Sequence, residues 1–322
     1  MKNQSATMFE SVFAEDTHKG LTSYPKYLHS KYIYDKKGDK LFQEIMAMPE
    51  YYLTSCEFDI LKQNKTDIAE IFSSENSFDL IELGAGDGKK TKLLLKELVD
   101  KNYKFNYLPV DISQNVLDEL ENALKDEIPQ VSVKTQQGTY FETLEKLAEY
   151  NSRKKVILVL GSNIGNLSHS EAVDFLRNIA VAMSDDDMLF MGFDQKKDPQ
   201  IIMNAYNDPA GITERFNKNL LVRINHELGG EFEVEKFKHW ETYDPETGTA
   251  RSFLVSKEEQ RVKIHKLELE VKFDAWESIH TEISQKYDDA IVSWLADEAG
   301  LVVERNFADS NNCFKNYIFR RK

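Results

Sequence analysis

The fold of this chain is decided by the stretch Phe78-Asp79-Leu80-Ile81-Glu82-Leu83-Gly84-Ala85-Gly86, in which a short apolar run leads directly into glycines. An apolar run of this length predicts a buried β-strand, and the glycines predict a tight turn after it. The leucines from Leu93 to Leu98 then recur with helical spacing. The stretch is therefore typical of the first strand, turn and helix of an α/β unit.

The alternation of strand and helix continues along the chain. Helical patterns lie at Val116 to Leu124 and Glu171 to Met183, and strands are predicted at Phe105 to Val110, Val131 to Val133, Lys155 to Gly161 and Met188 to Phe193. Because Lys155 to Gly161 is the most apolar of these strands, we expect it to be central. This order predicts an α/β fold with a parallel, doubly wound sheet.

The regular alternation stops near residue 200. The following segment mixes a helical piece with strand patterns, of which the clearest is the alternation Leu267, Leu269, Val271 and Phe273. A helix at Ala290 to Ala299 and strands at Leu301 to Val303 and Tyr317 to Phe319 close the chain. We therefore expect an α/β domain formed by residues 61–197 and 286–322, and a second α+β lobe formed by residues 1–60 and 198–285.

The composition excludes several classes of protein. The 322 residues include 55 acidic and 41 basic side chains, a formal net charge of −14, which disfavours a nucleic-acid partner. No apolar run approaches the ~18 residues of a membrane helix, and the amino-terminal residues have no secretory pattern. We expect a cytoplasmic monomer without a membrane partner that is an enzyme or a small-molecule binder.

The cysteine pattern gives no metal site. Cys56 and Cys313 are far apart in sequence and lack the spacing of metal ligands. We therefore expect neither a disulfide framework nor a bound metal.

Three kinds of ligand compete for the glycine turn. A dinucleotide fingerprint would need a glycine at position 89, where the chain has Lys89, so a nicotinamide oxidoreductase is disfavoured. A phosphate-binding Walker loop would need a glycine where the chain has Leu83 and a serine or threonine where it has Lys90, so the pattern fails at both positions. The remaining pattern, E-x-G-x-G at Glu82 to Gly86, is the usual opening of S-adenosylmethionine-dependent methyltransferases.

A carboxylate at the end of the next predicted strand supports this reading. Asp111 lies roughly 20 residues beyond the glycines, where a carboxylate can accept hydrogen bonds from both ribose hydroxyls of a nucleoside. Its alternative role is to cap the following helix, although Ser113 could cap that helix instead. We favour the ribose role for Asp111.

Several segments resemble the histidine-specific methyltransferase family, whose members trimethylate the α-amino group of L-histidine to hercynine in ergothioneine biosynthesis. They run in the family's order over nearly the whole chain, at residues 34–38, 41–45, 49–52, 82–86, 90–91, 109–113, 161–166, 205–208 and 281–284. The resemblance implies a Rossmann-like class I methyltransferase sheet, a substrate-binding lobe and S-adenosyl-L-methionine as cofactor.

The resemblance also implies roles for individual residues. On the cofactor side these are Gly84 and Gly86 of the glycine turn, Lys90, the ribose-binding Asp111, and the adenine-side contacts Thr139 and Tyr140. On the substrate side they are Tyr34, Tyr51, Asn166, Tyr206, Glu282 and Ser284. Tyr51 and Asn166 would orient the reacting amine, and Glu282 and Ser284 would recognise the imidazole ring of the substrate.

Taken singly, the implied residues also allow plain structural roles. Lys90 is then a solvated helix lysine, Asn166 a turn or capping residue, Tyr206 an ordinary amphipathic residue and Glu282 a solvated carboxylate. Family members typically have a methionine in the strand before Leu254, where this chain aligns Ser252. Methylation of another amino acid or amine, or cofactor and amino-acid binding without catalysis, are the alternative functions.

Overall fold

The computed structural model describes residues 9–73, 76–140, 142–144 and 153–322. The α-helices bounded within these ranges are α1 (Val12–Thr22), α2 (Lys36–Ala47), α3 (Tyr52–Phe72), α4 (Thr91–Asp100), α5 (Gln114–Glu127), α6 (His169–Ala182), α7 (Pro199–Tyr206), α8 (Ile212–Leu228) and α9 (Asp289–Glu298). Among them no helix has the length and apolar character needed to cross a bilayer.

The β-strands follow the same chain order. They are β1 (Lys26–Tyr27), β2 (Phe78–Leu83), β3 (Phe105–Asp111), β4 (Ser132–Val133), β5 (Gln136–Gln137), β6 (Lys154–Val159), β7 (Met188–Asp194), β8 (Phe237–Asp244), β9 (Thr249–Ser256), β10 (Gln260–Ile264), β11 (Leu269–Phe273), β12 (Ser278–Gln285), β13 (Leu301–Ala308) and β14 (Phe314–Arg321).

The chain folds as two compact units, each of them discontinuous in sequence. The first unit is Met1–Tyr52 with Lys197–Ser284, and the second is Leu53–Lys196 with Gln285–Lys322. Both units therefore contain segments from distant parts of the sequence.

The second unit is built on a twisted sheet in the order β13-β14-β7-β6-β2-β3-β4, with β5 paired to β3. Strands β7, β6, β2, β3 and β4 are parallel, whereas β14 is antiparallel to β7 and β13. All residues of β2 and β7 are buried, as expected for strands covered on both faces. The predicted doubly wound α/β fold and the central position of β6 are confirmed.

The strand order of this sheet reverses between β2 and β6. After β2 the chain moves outward to β3 and then returns to β6 on the other side. Loops that follow strands on the two sides of such a switch point diverge and leave a crevice at the carboxyl ends of the strands. The glycine turn after β2 and the turn that begins at Gly161 after β6 both lie at this crevice.

The first unit contains a four-stranded sheet in the order β1-β12-β9-β8 and the β10–β11 hairpin. The short strand β1 pairs in parallel with β12, placing Lys26 opposite Ile279, while β8 and β9 form an antiparallel pair. Leu267 lies in a 3-10 turn before β11, so the predicted alternation forms a strand only from Leu269 onward. This turn shortens the strand because residue Glu268 adopts a left-handed backbone conformation.

Helix α3 has one unusual position on its buried face. Its buried residues follow helical spacing and are apolar with one exception: Leu53, Glu57, Ile60, Leu61, Ile68, Ala69 and Phe72. The helix thus presents an apolar stripe to the sheet, as amphipathic helices do. Glu57 places a carboxylate within that stripe with no exposed surface.

Candidate functional site

The glycine turn after β2 combines tight packing with open space. Gly84 and Gly86 both have positive φ angles, 78° and 53°, which favour glycine. A Cβ atom at Gly84 would lie 2.4 Å from the Tyr140 hydroxyl, whereas a Cβ atom at Gly86 would meet no atom within 4 Å. The turn therefore approaches Tyr140 closely at Gly84 and borders open space at Gly86.

Asp111 holds its carboxylate against this turn. The backbone N–H of Gly86 donates to Oδ2 at 3.3 Å, and the N–H of Ser113 donates to Oδ1 at 3.0 Å. The Ser113 hydroxyl caps α5 by accepting from Val116 N at 3.4 Å. Because Ser113 performs the capping, the remaining lone pairs of the Asp111 carboxylate are available to accept ligand hydroxyls.

Tyr140 lies beside Gly84, and the charge of Asp111 affects its pKa. Burial raises the pKa of the Tyr140 phenol to about 12, the negative charge of Asp111 adds to the increase, and a hydrogen bond with Asn163 opposes it. Gly84, Asp111 and Tyr140, which the sequence assigned to one cofactor site, are therefore brought together. The phenol remains protonated at neutral pH and can donate a hydrogen bond.

Two other predicted cofactor residues have definite partners. Thr139 is exposed, and its hydroxyl and backbone N–H both donate to Glu142 Oε2, at 3.0 and 2.9 Å, as in a helix cap. Lys90 immediately precedes α4, and its ammonium lies 2.5 Å from Glu57 Oε2. Lys90 is therefore an ion-paired residue at the crevice rather than a solvated helix lysine.

The first unit contains five neighbouring aromatic side chains, which we call the aromatic cluster: Tyr34, Phe42, Tyr51, Tyr206 and Phe216. Their neighbouring ring centroids lie between 5.4 and 6.4 Å apart, mostly edge to face. The exposed face of an aromatic ring attracts cations, most strongly quaternary ammonium groups. The cluster is therefore suited to an ammonium group.

Two polar side chains of β12 adjoin this cluster. Burial raises the pKa of Tyr34 well above its usual range, and the charge of Glu282 is the next largest cause. Glu282 lies two residues before Ser284 on β12, so both side chains lie on the same face of the strand. The hydroxyls of Ser284 and Tyr206 are 2.8 Å apart. The structure thus brings together Tyr34, Tyr51, Tyr206, Glu282 and Ser284, five of the six predicted substrate residues.

The sixth predicted substrate residue, Asn166, belongs to the second unit. It ends the 3-10 turn Asn163–Asn166 that follows β6, and its side chain is exposed. It therefore follows a carboxyl end of a central strand, at the edge of the sheet where ligands of doubly wound folds bind.

Residues 13–321 match the family model described as histidine-specific methyltransferase, SAM-dependent. The chain belongs to this family.

Three relatives of this histidine-specific methyltransferase carry informative names. The histidine N-alpha-methyltransferase of Mycolicibacterium smegmatis is 35% identical over 287 residues, covering 89% of this chain and 88% of the relative. The histidine N-alpha-methyltransferase of Mycobacterium tuberculosis is 33% identical over 297 residues, covering 88% of this chain and 91% of the relative. The ergothioneine biosynthesis protein 1 of Schizosaccharomyces pombe is 34% identical over 243 residues. The aligned residues cover 73% of this chain and 31% of that longer protein.

Ser252 of this methyltransferase has a polar environment that the sequence did not reveal. It is buried on β9, directly opposite Glu241 on β8, and its hydroxyl donates to Glu241 Oε2 at 2.6 Å. Its backbone carbonyl accepts from the Thr281 hydroxyl at 3.0 Å. Position 252 is therefore part of a buried, hydrogen-bonded serine–glutamate pair.

Two further residues support the predicted site residues, and sequence reasoning missed them. Asn163 bonds Tyr140, and His239 Nε2 donates to the Tyr206 carbonyl at 2.9 Å. Asn163 stood within the motif Gly161-Ser162-Asn163-Ile164-Gly165-Asn166, so its motif gave a signal. His239 gave none, because it lies 33 residues from its partner.

Glu82, the acidic residue of the E-x-G-x-G pattern, is buried and joins three elements. Its carboxylate accepts from the Thr91 hydroxyl of α4 at 2.6 Å and from the Tyr107 hydroxyl of β3. Burial raises the pKa of Glu82 to about 7; its hydrogen bonds and the charge of Lys90 oppose this, and Glu57 adds to it. Glu82 therefore titrates near neutral pH in the folded protein.

We predict that Glu82 makes folding stability fall as the pH rises. Its folded pKa of about 7 exceeds its reference value of 4.5, so the folded state binds the extra proton. This stabilisation is complete below pH 4.5 and is lost as the pH rises through 7, amounting to about 2–3 kcal/mol between pH 5 and pH 8. Urea unfolding of the wild type and Glu82→Gln at both pH values checks it, and parallel pH profiles of the two proteins would contradict it.

Proposed function

We propose that this protein transfers methyl groups from S-adenosyl-L-methionine to the α-amino group of L-histidine, stepwise to the trimethylated betaine hercynine. The observation that carries the proposal is the grouping of Glu282 and Ser284 with the aromatic cluster in the first unit. Membership of the histidine-specific family and the names of the two mycobacterial relatives support the same substrate.

The second unit would serve as the methyltransferase domain. Gly84 and Gly86 would leave room for the cofactor beside the turn, Asp111 would accept the ribose hydroxyls, and Lys90 would donate to the carboxylate of the methionine part. Thr139 and Tyr140 would lie on the adenine side. When bound, S-adenosylmethionine supplies an electrophilic methyl group on a positively charged sulfur.

The first unit would serve as the substrate-binding lobe. Glu282 would accept a hydrogen bond from an imidazole N–H, and Ser284, already paired with Tyr206, would bond the second ring nitrogen. Tyr51 and Tyr206 would bind the amine and carboxylate of the amino acid. An amino acid that is bound at both its side chain and its amine and carboxylate is held in one orientation.

The aromatic cluster would assist the reaction through its effect on charge. An amine must lose its proton before it can attack a methyl group, and an α-amino group has a reference pKa of about 8, so partial burial favours the neutral form near neutral pH. Each methyl transfer then leaves a positive charge on the nitrogen, which the faces of Tyr51 and Phe216 would stabilise. After the first and second transfers this charge is lost with a proton before the amine can react again, and after the third it is permanent. Holding nucleophile and methyl group about 3 Å apart would supply most of the remaining rate enhancement.

Incubation with S-adenosylmethionine and L-histidine, followed by mass spectrometry of the free amino acid, tests the proposal. We expect stepwise mass gains of one, two and three methylene units on histidine. Synthetic Nα-dimethylhistidine supplied as substrate should yield the trimethylated product in one step. Absence of methylated histidine from a reaction in which the protein binds the cofactor would reject the substrate assignment.

A second candidate function rests on Ser252. Its pairing with Glu241 adds a buried carboxylate and a hydroxyl to the strand beside β12, and this polar pair favours a side chain with additional hydrogen-bond donors over plain imidazole. The same assay run on a panel of basic and aromatic amino acids separates the two candidates. Histidine as the preferred substrate supports the first, and a preferred amino acid other than histidine supports the second.

A further inference from the structure

We propose that Glu57 is a positioning residue of the cofactor site, because it holds the Lys90 ammonium and the turn after β6 in a fixed arrangement. The inference rests on the proposed role of Lys90 in binding the cofactor carboxylate. Glu57 is fully buried on the apolar stripe of α3, where a charge is unfavourable unless it is paired and hydrogen-bonded.

The Glu57 carboxylate receives three donors from three different elements. Its Oε2 atom accepts from the Lys90 ammonium at 2.5 Å and from the backbone N–H of Gly161 at 2.8 Å. Its Oε1 atom accepts from Asn316 Nδ2 of β14 at 2.8 Å. Charge-assisted hydrogen bonds of this kind are shorter and stronger than neutral ones, so the carboxylate fixes the position of each donor.

The two donors to Oε2 come from the two sides of the topological switch point. Lys90 follows the glycine turn after β2, and Gly161, with a φ of 85°, begins the turn after β6. The Lys90 nitrogen lies 3.6 Å from the position that a Cβ atom at Gly161 would occupy. One buried carboxylate therefore ties together the two loops that form the walls of the crevice.

The ammonium retains donors for a ligand in this arrangement. A lysine ammonium has three N–H groups, and Glu57 uses one of them. The Lys90 side chain is 21% exposed, whereas that of Glu57 is fully buried. Lys90 can thus donate to a carboxylate of the cofactor from a position that Glu57 has already set.

The surrounding strands are shaped to admit the Glu57 carboxylate. A Cβ atom at Gly192 of β7 would lie 2.3 Å from Glu57 Oε1, so only glycine fits at that position. Gly192 is directly opposite Asn316 in the pairing of β7 with β14. One strand therefore leaves space for the carboxylate at the point where its neighbour supplies a donor.

Glu57→Gln isolates the negative charge with little change in shape. The glutamine carbonyl can still accept from Gly161 N. Its amide can donate to the Asn316 side chain once that side chain is flipped, because Asn316 Oδ1 is buried without a hydrogen-bond partner among the described residues. We therefore expect this variant to fold.

The first test is calorimetric titration of wild type and Glu57→Gln with S-adenosylhomocysteine. We expect about 3- to 10-fold weaker binding by the variant, because the lysine side chain must then be ordered when the ligand binds. In steady-state assays the KM for S-adenosylmethionine should rise by a similar factor with kcat little changed. Equal or tighter binding by Glu57→Gln, with a wild-type protein that binds, would overturn the positioning role.

The second test uses the Lys90→Met background. If Glu57 acts through Lys90, adding Glu57→Gln to Lys90→Met should leave the affinity for S-adenosylhomocysteine unchanged, whereas additive losses would contradict the proposal. Lys90→Met alone leaves a buried charge unpaired, so its urea midpoint should fall, and the double variant should recover it.

A matched control separates this ion pair from lysine–glutamate pairs in general. Lys92, in helix α4 directly after Lys90, pairs with the exposed Glu127 at 2.7 Å, and Glu127→Gln should leave both affinity and urea midpoint unchanged. A wild-type protein that fails to bind S-adenosylhomocysteine would reject the proposed function itself. That outcome is distinct from a wild-type protein that binds while Glu57→Gln binds equally well.

Discussion

Glu282→Ala is expected to lower kcat/KM for histidine by about 10³- to 10⁴-fold while leaving the affinity for S-adenosylhomocysteine unchanged. A site built to hydrogen-bond a polar ligand group discriminates strongly, because the loss of one partner leaves the other buried and unpaired. In the proposed complex Glu282 accepts from the imidazole, so alanine removes the partner of a buried N–H. The cofactor residues belong to the other unit, which is why cofactor affinity should be retained.

The measurement combines steady-state methylation kinetics with calorimetric titration of S-adenosylhomocysteine. Glu270→Ala is the matched control, because Glu270 lies in the same unit but pairs with Arg261 at an exposed site. Its kinetics should match those of the wild type. Similar losses of histidine turnover and cofactor affinity in Glu282→Ala would show that Glu282 acts on folding or on the cofactor instead.

The features that the sequence predicts are those specified by residues that lie close together in the sequence. The apolar run at β2, its glycines and Asp111 at the end of β3 follow the chain order of an α/β unit, so a short window of sequence contains the signal. The capping role of Ser113 was likewise readable, because a cap bonds residues within one helical turn.

The parts that sequence reasoning missed depend on contacts between distant residues. Glu57 meets Lys90, Gly161 and Asn316 at separations of 33, 104 and 259 residues, so nothing near Glu57 marks it as more than a helix glutamate. Nothing in the sequence around Ser252 marks its pairing with Glu241, which only the register of β8 with β9 shows. Register of this kind is set by the whole sheet.

Asp111→Ala is expected to weaken the binding of S-adenosylhomocysteine by about 100-fold. Hydrogen bonds to a charged group contribute about 1.5–3 kcal/mol each. In the proposed complex Asp111 accepts two from ribose hydroxyls, so a net loss of about 3 kcal/mol corresponds to a factor of about 100 in the dissociation constant. Asp111→Asn keeps one carbonyl oxygen and should give an intermediate loss.

The control must account for the structural bonds that Asp111 also accepts. Asp111 holds the N–H groups of Gly86 and Ser113, so its removal loosens the glycine turn and the start of α5. Ser113→Ala perturbs the start of α5 alone; it should cost about 1 kcal/mol of stability and leave the affinity near that of the wild type. If Ser113→Ala weakened ligand binding as much as Asp111→Ala, the loss would follow from the disordered helix start. The ribose role of Asp111 would then be rejected.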